Sequence, residues 1–212
     1  MEWERVVERE QARYADGIER LDPGQIVRVA NAAYGAGLAL LMLGRDGEAR
    51  CWLDRAATRW RESFEYATPT SWGRPIGALK AALLAGDARA ASRHARWALE
   101  LGSDDEAVSP VGRYAATLAL LVLGRWSRAA ERASTLRGAP EFPAAVAETL
   151  GAIAAGDTDA CARALAAVLV SFETRESYLE DVAVADTVIV LSLLAARRGI
   201  GLVLPASPLL PP

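Results

Sequence analysis

A chain of 212 residues with 52% hydrophobic and 24% charged side chains is too apolar to be disordered. It is long enough for one domain that buries roughly 70% of its unfolded surface. Its net charge of −3 and pI near 5.4 argue against a nucleic-acid partner, because such modules carry a basic face. Two cysteines and one histidine cannot complete a Cys/His zinc site, so Cys51 and Cys161 read as buried small hydrophobes of a reducing compartment. The opening MEWERVVERE has acid where a signal peptide needs an apolar core. The longest charge-free run, Val29–Gly44, has 16 residues, too few to span a bilayer. A cytoplasmic protein with no membrane partner is expected.

The elements that follow are all helical. A charged helix over 1–22 carries the narrow stripe Trp3, Val6, Val7, Tyr14, Ile18 and Leu21, interrupted by Glu10. Asp22-Pro23-Gly24 ends it. Four helix hairpins are then predicted over 25–66, 75–101, 110–137 and 143–172, with Ala67–Pro75 and Gly102–Pro110 as loops. In the first, Ala49, Leu53, Ala56, Trp60 and Phe64 recur every three or four residues, the spacing of one helix face. Pro75 suits a first helical turn and Asp87 suits an N-cap. A helix over 184–198 is apolar between Asp186 and Arg197-Arg198, so it should be buried on most sides as a cap on the end of the stack. The remainder, 199–212, ends in PASPLLPP and is expected to lie extended against a groove.

One phrase organises the chain. LLVLGRWSRAAERA at Leu120–Ala133 has near-copies at Leu40–Ala49, Leu83–Ala91 and Ile153–Ala162, each an apolar helix end, a glycine corner and an amphipathic restart. The corner glycines are Gly44, Gly86, Gly124 and Gly156, placed where a left-handed residue ends a helix. The spacing Leu40, Gly44-Arg45, Glu48-Ala49, Leu53, Arg55-Ala56 resembles the tetratricopeptide repeat, with a drifting period and no proline at each repeat end. The fold class is therefore all-α: stacked antiparallel helix hairpins, a TPR-like α-solenoid or compact α-α superhelix of about ten helices in a single domain over 1–212. A closed bundle is the alternative.

Candidate sites are few. His94 shares the stripe Ala90, Trp97 and Leu101 and should be half-buried beside Trp97; no nucleophile or orienting acid accompanies it. Gly35-Ala36-Gly37 lacks the third small residue and the preceding strand of a dinucleotide loop, and close helix packing explains it better. Ser171–Asp186 sets Glu173, Glu176, Glu180, Asp181 and Asp186 against Arg175 alone, so acid is concentrated there. The word SFE ends a helix at Ser63–Glu65 and again at Ser171–Glu173, and equivalent positions of a solenoid face one surface. Glu65, Tyr66, Glu173, Glu176, Tyr178, Glu180 and Asp181 are accordingly candidates for an acidic, aromatic partner surface; a solvated helix end is the plainer reading. Arg74 and Arg113-Tyr114 open helices, where a cation opposes the dipole, and are expected to hold an acidic partner such as Glu173, Glu176 or Asp181, or else a ligand carboxylate. A carboxylate-only metal site would need a loop of fixed spacing, so no metal or cofactor is expected.

The run of Ala-rich helices with Trp, the apolar C-terminal helix, Arg198-Gly199 and the SPLLPP tail is similar to the immunity protein 49 family of polymorphic toxin systems. That resemblance implies a cytoplasmic, non-enzymatic protein that neutralises a cognate toxin by stoichiometric binding, here through an acidic patch that meets a basic toxin surface. The alternatives are an adaptor holding a peptide in a concave groove, and an enzyme with a site among Arg113, Tyr114, Glu173 and Glu176.

Overall fold

The computed structural model describes residues 2–20, 22–105 and 109–212; Leu21 of the expected first stripe and positions 106–108 of the acidic linker lie outside the described residues. Among the described residues there are ten α-helices and no strand. They are α1 (Trp3–Glu19), α2 (Ile26–Met42), α3 (Asp46–Phe64), α4 (Gly73–Leu84), α5 (Ala88–Glu100), α6 (Pro110–Val122), α7 (Trp126–Arg137), α8 (Ala144–Ala155), α9 (Thr158–Glu173) and α10 (Asp186–Arg197). Each of the first nine packs on its successor in the chain, and α4–α6 and α6–α8 also touch. This is a stack of antiparallel hairpins whose inner layer is formed by α4, α6 and α8, the helices that α10 crosses.

The corners follow from the four glycines. Gly44, Gly86, Gly124 and Gly156 have φ between +67° and +75°, a region that costs any residue with a Cβ. At each corner two amides reach back to satisfy carbonyls of the last helical turn: Gly44 to Leu41 at 3.0 Å and Arg45 to Leu40 at 3.0 Å, with the same pattern at the other three. Asp87 then caps α5 by accepting from the amides of Arg89 and Ala90, both at 2.9 Å. Helix α4 begins at Gly73, two residues before the predicted Pro75, with the buried Trp72 at its N-cap position.

Close packing accounts for the other glycines of interest. A Cβ on Gly37 would lie 2.7 Å from Leu53 of α3, and one on Gly35 would lie 3.1 Å from the side chain of Glu10. Glu10 therefore does not interrupt the face of α1. It is fully buried between α1 and α2, with Arg9 at 2.7 Å and Arg13 at 2.8 Å, because a buried carboxylate is tolerated only when charged donors surround it. Cys161 is buried as expected, whereas Cys51 is exposed: it lies two residues from both Ala49 and Leu53 of the buried stripe, which puts it on the opposite face of α3. Trp72 and Trp97 belong to the core, and Trp52 is half-buried beneath Tyr14, with ring centroids 5.1 Å apart.

The largest correction concerns α10. It does not cap the end of the stack but crosses α4, α6 and α8 and packs on α9. The reason lies in its composition: Val188, Val190, Leu191, Leu194 and Ala195 are all buried, and an end face would cover only one side of such a helix. Arg197 ties its far end to the carbonyl of Val122 at 3.1 Å. The tail folds back over it, with Leu209 buried and its carbonyl accepting from the Ala185 amide at 2.9 Å.

His94 is buried, with 8% exposure, and meets Trp97 edge-on at 6.2 Å, while its Nδ1 has no partner among the described residues. Burial, reinforced by Arg61 and Arg93 against a smaller opposing pull from Asp87, lowers its pKa to about 4. A base held neutral in the fold stabilises it fully above pH 6.5 and loses that contribution as pH falls toward about 4. Urea denaturation should therefore show a stability loss of about 2–3 kcal/mol between pH 6.5 and pH 4.5 that is absent from His94→Leu. Parallel pH profiles of the two proteins would contradict this.

Candidate functional site

A cavity of about 440 Å³ opens between α2 and α4, beneath the segment that joins α9 to α10. Val27, Trp60, Ile76 and Leu179 supply its apolar walls, and Asn31, Tyr34, Arg74, Lys80 and Asp186 its polar ones. Volume and mixed lining are those of a small-molecule pocket.

Asp186, the first residue of α10, stands at the centre of the polar floor. Its carboxylate pairs with Lys80, with side-chain exposures of 12% for the lysine and 15% for the aspartate, and accepts from the Tyr34 hydroxyl at 2.7 Å and from Thr187 Oγ1 at 3.1 Å. Lys80 also donates to Thr187 at 3.1 Å. Burial acts to raise the Asp186 pKa, but the charge of Lys80 and the hydrogen bonds from Lys80, Tyr34 and Thr187 outweigh it, and the carboxyl stays below its ordinary range. Burial and then the neighbouring Asp186 hold the Tyr34 hydroxyl far above the usual tyrosine range, so it remains a donor. Tyr34 leans on Trp60 at 5.0 Å; the Trp60 indole N–H donates to Asn31 Oδ1 at 3.2 Å.

The roof of the cavity is strained. Residues Leu179–Asp181 form a single 3-10 turn in which Glu180 and Asp181 have φ of +54° and +55°. Two consecutive left-handed residues with Cβ atoms cost about 1–2 kcal/mol each and persist only when their surroundings hold them. The clamp is visible: Arg13 forms an ion pair with the Glu180 carboxylate, Arg9 donates to the Glu180 carbonyl at 2.7 Å, and Asn31 Nδ2 donates to Glu180 Oε1 at 3.0 Å. Burial tends to raise the Glu180 pKa; the hydrogen bonds of Arg13 and Asn31, with the charges of Arg13 and Arg9, bring it below the ordinary glutamate value. Asp181→Gly, at an exposed left-handed position, should raise stability by about 0.5–1 kcal/mol, whereas Glu180→Gly should lower it through loss of the clamp. Equal shifts in thermal unfolding for the two variants would show that the turn is not held as described.

The residues singled out from sequence come from separate hairpins of the chain. Glu65 and Tyr66 are exposed just beyond α3, in the first hairpin, while Glu173 and Glu176 are exposed at the end of α9, in the last. Glu173 accepts from Ser207 Oγ at 2.8 Å, and the Tyr178 hydroxyl donates to the Phe172 carbonyl at 2.7 Å. Asp181 is exposed, while Glu180 faces α1 and α2. Arg74 lines the cavity. Among the described residues neither Arg74 nor Arg113 forms the expected ion pair with Glu173, Glu176 or Asp181. Tyr114 meets the ring of Phe142 in a tilted contact at 5.4 Å, and burial followed by Asp186 raises its pKa. Asn31, Tyr34 and Lys80 were not among the sequence candidates. Signals for two of them were present: the sole lysine of a chain with 24 basic residues, and an Asn inside an apolar helix.

Among the described residues no helix is long and apolar enough to cross a membrane, and no cluster of three or more potential metal-ligating His, Cys, Asp or Glu side chains occurs. No family model, no curated protein and no solved structure matches the chain.

Proposed function

We propose that this chain is a non-enzymatic, cytoplasmic protein-binding scaffold, and that its partner is a toxin with a basic surface which it neutralises by stoichiometric binding, in the manner of the immunity protein 49 family. The observation that carries this reading is the pinned 179–181 turn. It displays Leu179, 59% exposed, beside the exposed carboxylates of Glu176 and Asp181, on a backbone fixed by Arg9, Arg13 and Asn31. An apolar anchor ringed by charge, beside a backbone held by hydrogen bonds and an ion pair, is what a tight protein interface uses. The acids add long-range attraction for a basic partner and speed its arrival. A peptide adaptor is less well supported, because the inner helices α4, α6 and α8 that would line its groove are covered by α10.

The test is co-expression with a growth-arresting protein encoded beside this chain. Restored growth, a 1:1 complex of the purified pair, and loss of both in Leu179→Asp/Glu176→Arg at an unchanged melting temperature are expected. Charge reversal at Glu173 and Glu176 should weaken the complex more at low salt than at high salt. Rescue that survives the double substitution, or that proceeds by turnover of the toxin, would overturn the reading.

A further inference from the structure

The geometry points to the cavity between α2 and α4 as a binding site for a small apolar carboxylate, gripped at its charged end by Arg74.

The hydrogen-bonding groups that line the cavity are unevenly satisfied. On the acceptor side, both oxygens of Asp186 are engaged, by Tyr34 and Lys80 on one and Thr187 on the other, and the Asn31 carbonyl is taken by Trp60. Donors are in surplus. Lys80 has three N–H groups and spends them on Asp186 and Thr187, leaving one; Asn31 spends one of two on Glu180. Arg74 has five and, among the described residues, makes none of the side-chain hydrogen bonds or ion pairs formed by the arginines. Charge follows the same pattern: Lys80 is balanced by Asp186 and Glu180 by Arg13, so the guanidinium of Arg74 is the uncompensated charge of the lining.

An occupant must therefore bring acceptors and negative charge at one end. The rest of it meets Val27, Trp60, Ile76 and Leu179, an apolar wall that favours an aryl or alkyl body. A planar carboxylate matches the fork of an arginine in bidentate fashion, which a lysine could not supply. The position of Arg74 in the first turn of α4 fits too, since the positive end of that helix dipole points toward the same charge. The site does not depend on the toxin-binding reading, because Arg74→Gln leaves Leu179, Glu173, Glu176 and Asp181 in place.

The experiment is calorimetric titration of the full chain with a series from benzoate through 4-phenylbutyrate to decanoate, each paired with its neutral amide. At least one carboxylate is expected to bind with a Kd of about 1 mM or tighter, and about ten- to a hundredfold better than its amide. Arg74→Gln should remove that preference while leaving amide binding unchanged. Gly73→Phe offers a second variant that keeps the fold, since a Cβ there meets nothing within 4 Å, and it should block the mouth to carboxylate and amide alike. No carboxylate binding at about 10 mM, equal affinity for acid and amide, or a preference that survives Arg74→Gln would overturn the assignment.

Discussion

Asp186→Ala should lower the unfolding free energy by about 3–5 kcal/mol, the cost of stranding a buried cation. Its partner Lys80 has a side chain only 12% exposed and would keep a single neutral acceptor, Thr187. The Tyr34 hydroxyl would lose its acceptor as well. Removing both charges at once is a different matter: Lys80→Met/Asp186→Leu should recover most of the loss, because well-packed apolar side chains of similar size avoid the desolvation of both ions. In urea denaturation the midpoint should fall for the single variant and return for the double, at constant slope. The acid limb should change too. Asp186 has a depressed pKa, so its contribution is present above the ordinary value of 3.8 and is lost as pH falls below it; Asp186→Ala should flatten that part of the profile. A cost below about 1 kcal/mol would mean that the pair behaves as a surface ion pair.

The second large effect is expected on the same helix. Leu191 is fully buried where α10 crosses the inner layer, whereas Leu193, two residues on, is 38% exposed. Leu191→Ala should cost about 2–5 kcal/mol through lost burial and the cavity left behind, and Leu193→Ala should cost less than about 1.5 kcal/mol. A similar small cost at both positions would show a helix resting loosely on the stack.

The repeated corners were legible in the sequence because glycine punctuation is a local signal. Gly44, Gly86, Gly124 and Gly156 each need a positive φ, and the helices between them follow from a period of three to four apolar positions. The burial of Glu10 was not legible. From sequence it is a charge on a stripe; only the space left by Gly35 on the opposing helix and the flanking Arg9 and Arg13 make it an interior residue. The course of α10 was half legible. Its all-round apolarity said that it is buried, but not whether an end or a groove buries it, since that depends on how the hairpins splay. The site fared similarly: Arg74 was a candidate, yet its neighbours come from α2, α4 and the start of α10, and no spacing rule links positions 31, 34, 80 and 186.

The C-terminal helix α10 is part of the interior rather than a detachable cover. Native-state hydrogen exchange of the Val188, Val190, Leu191 and Leu194 amides measures this directly. If α10 fills the groove, these amides exchange only through global unfolding, with an opening free energy and urea dependence equal to those of the α6 core around Leu118–Leu121. Exchange of the α10 amides at a free energy several kcal/mol lower, with little urea dependence, would show a helix that lifts away and a groove open to other occupants.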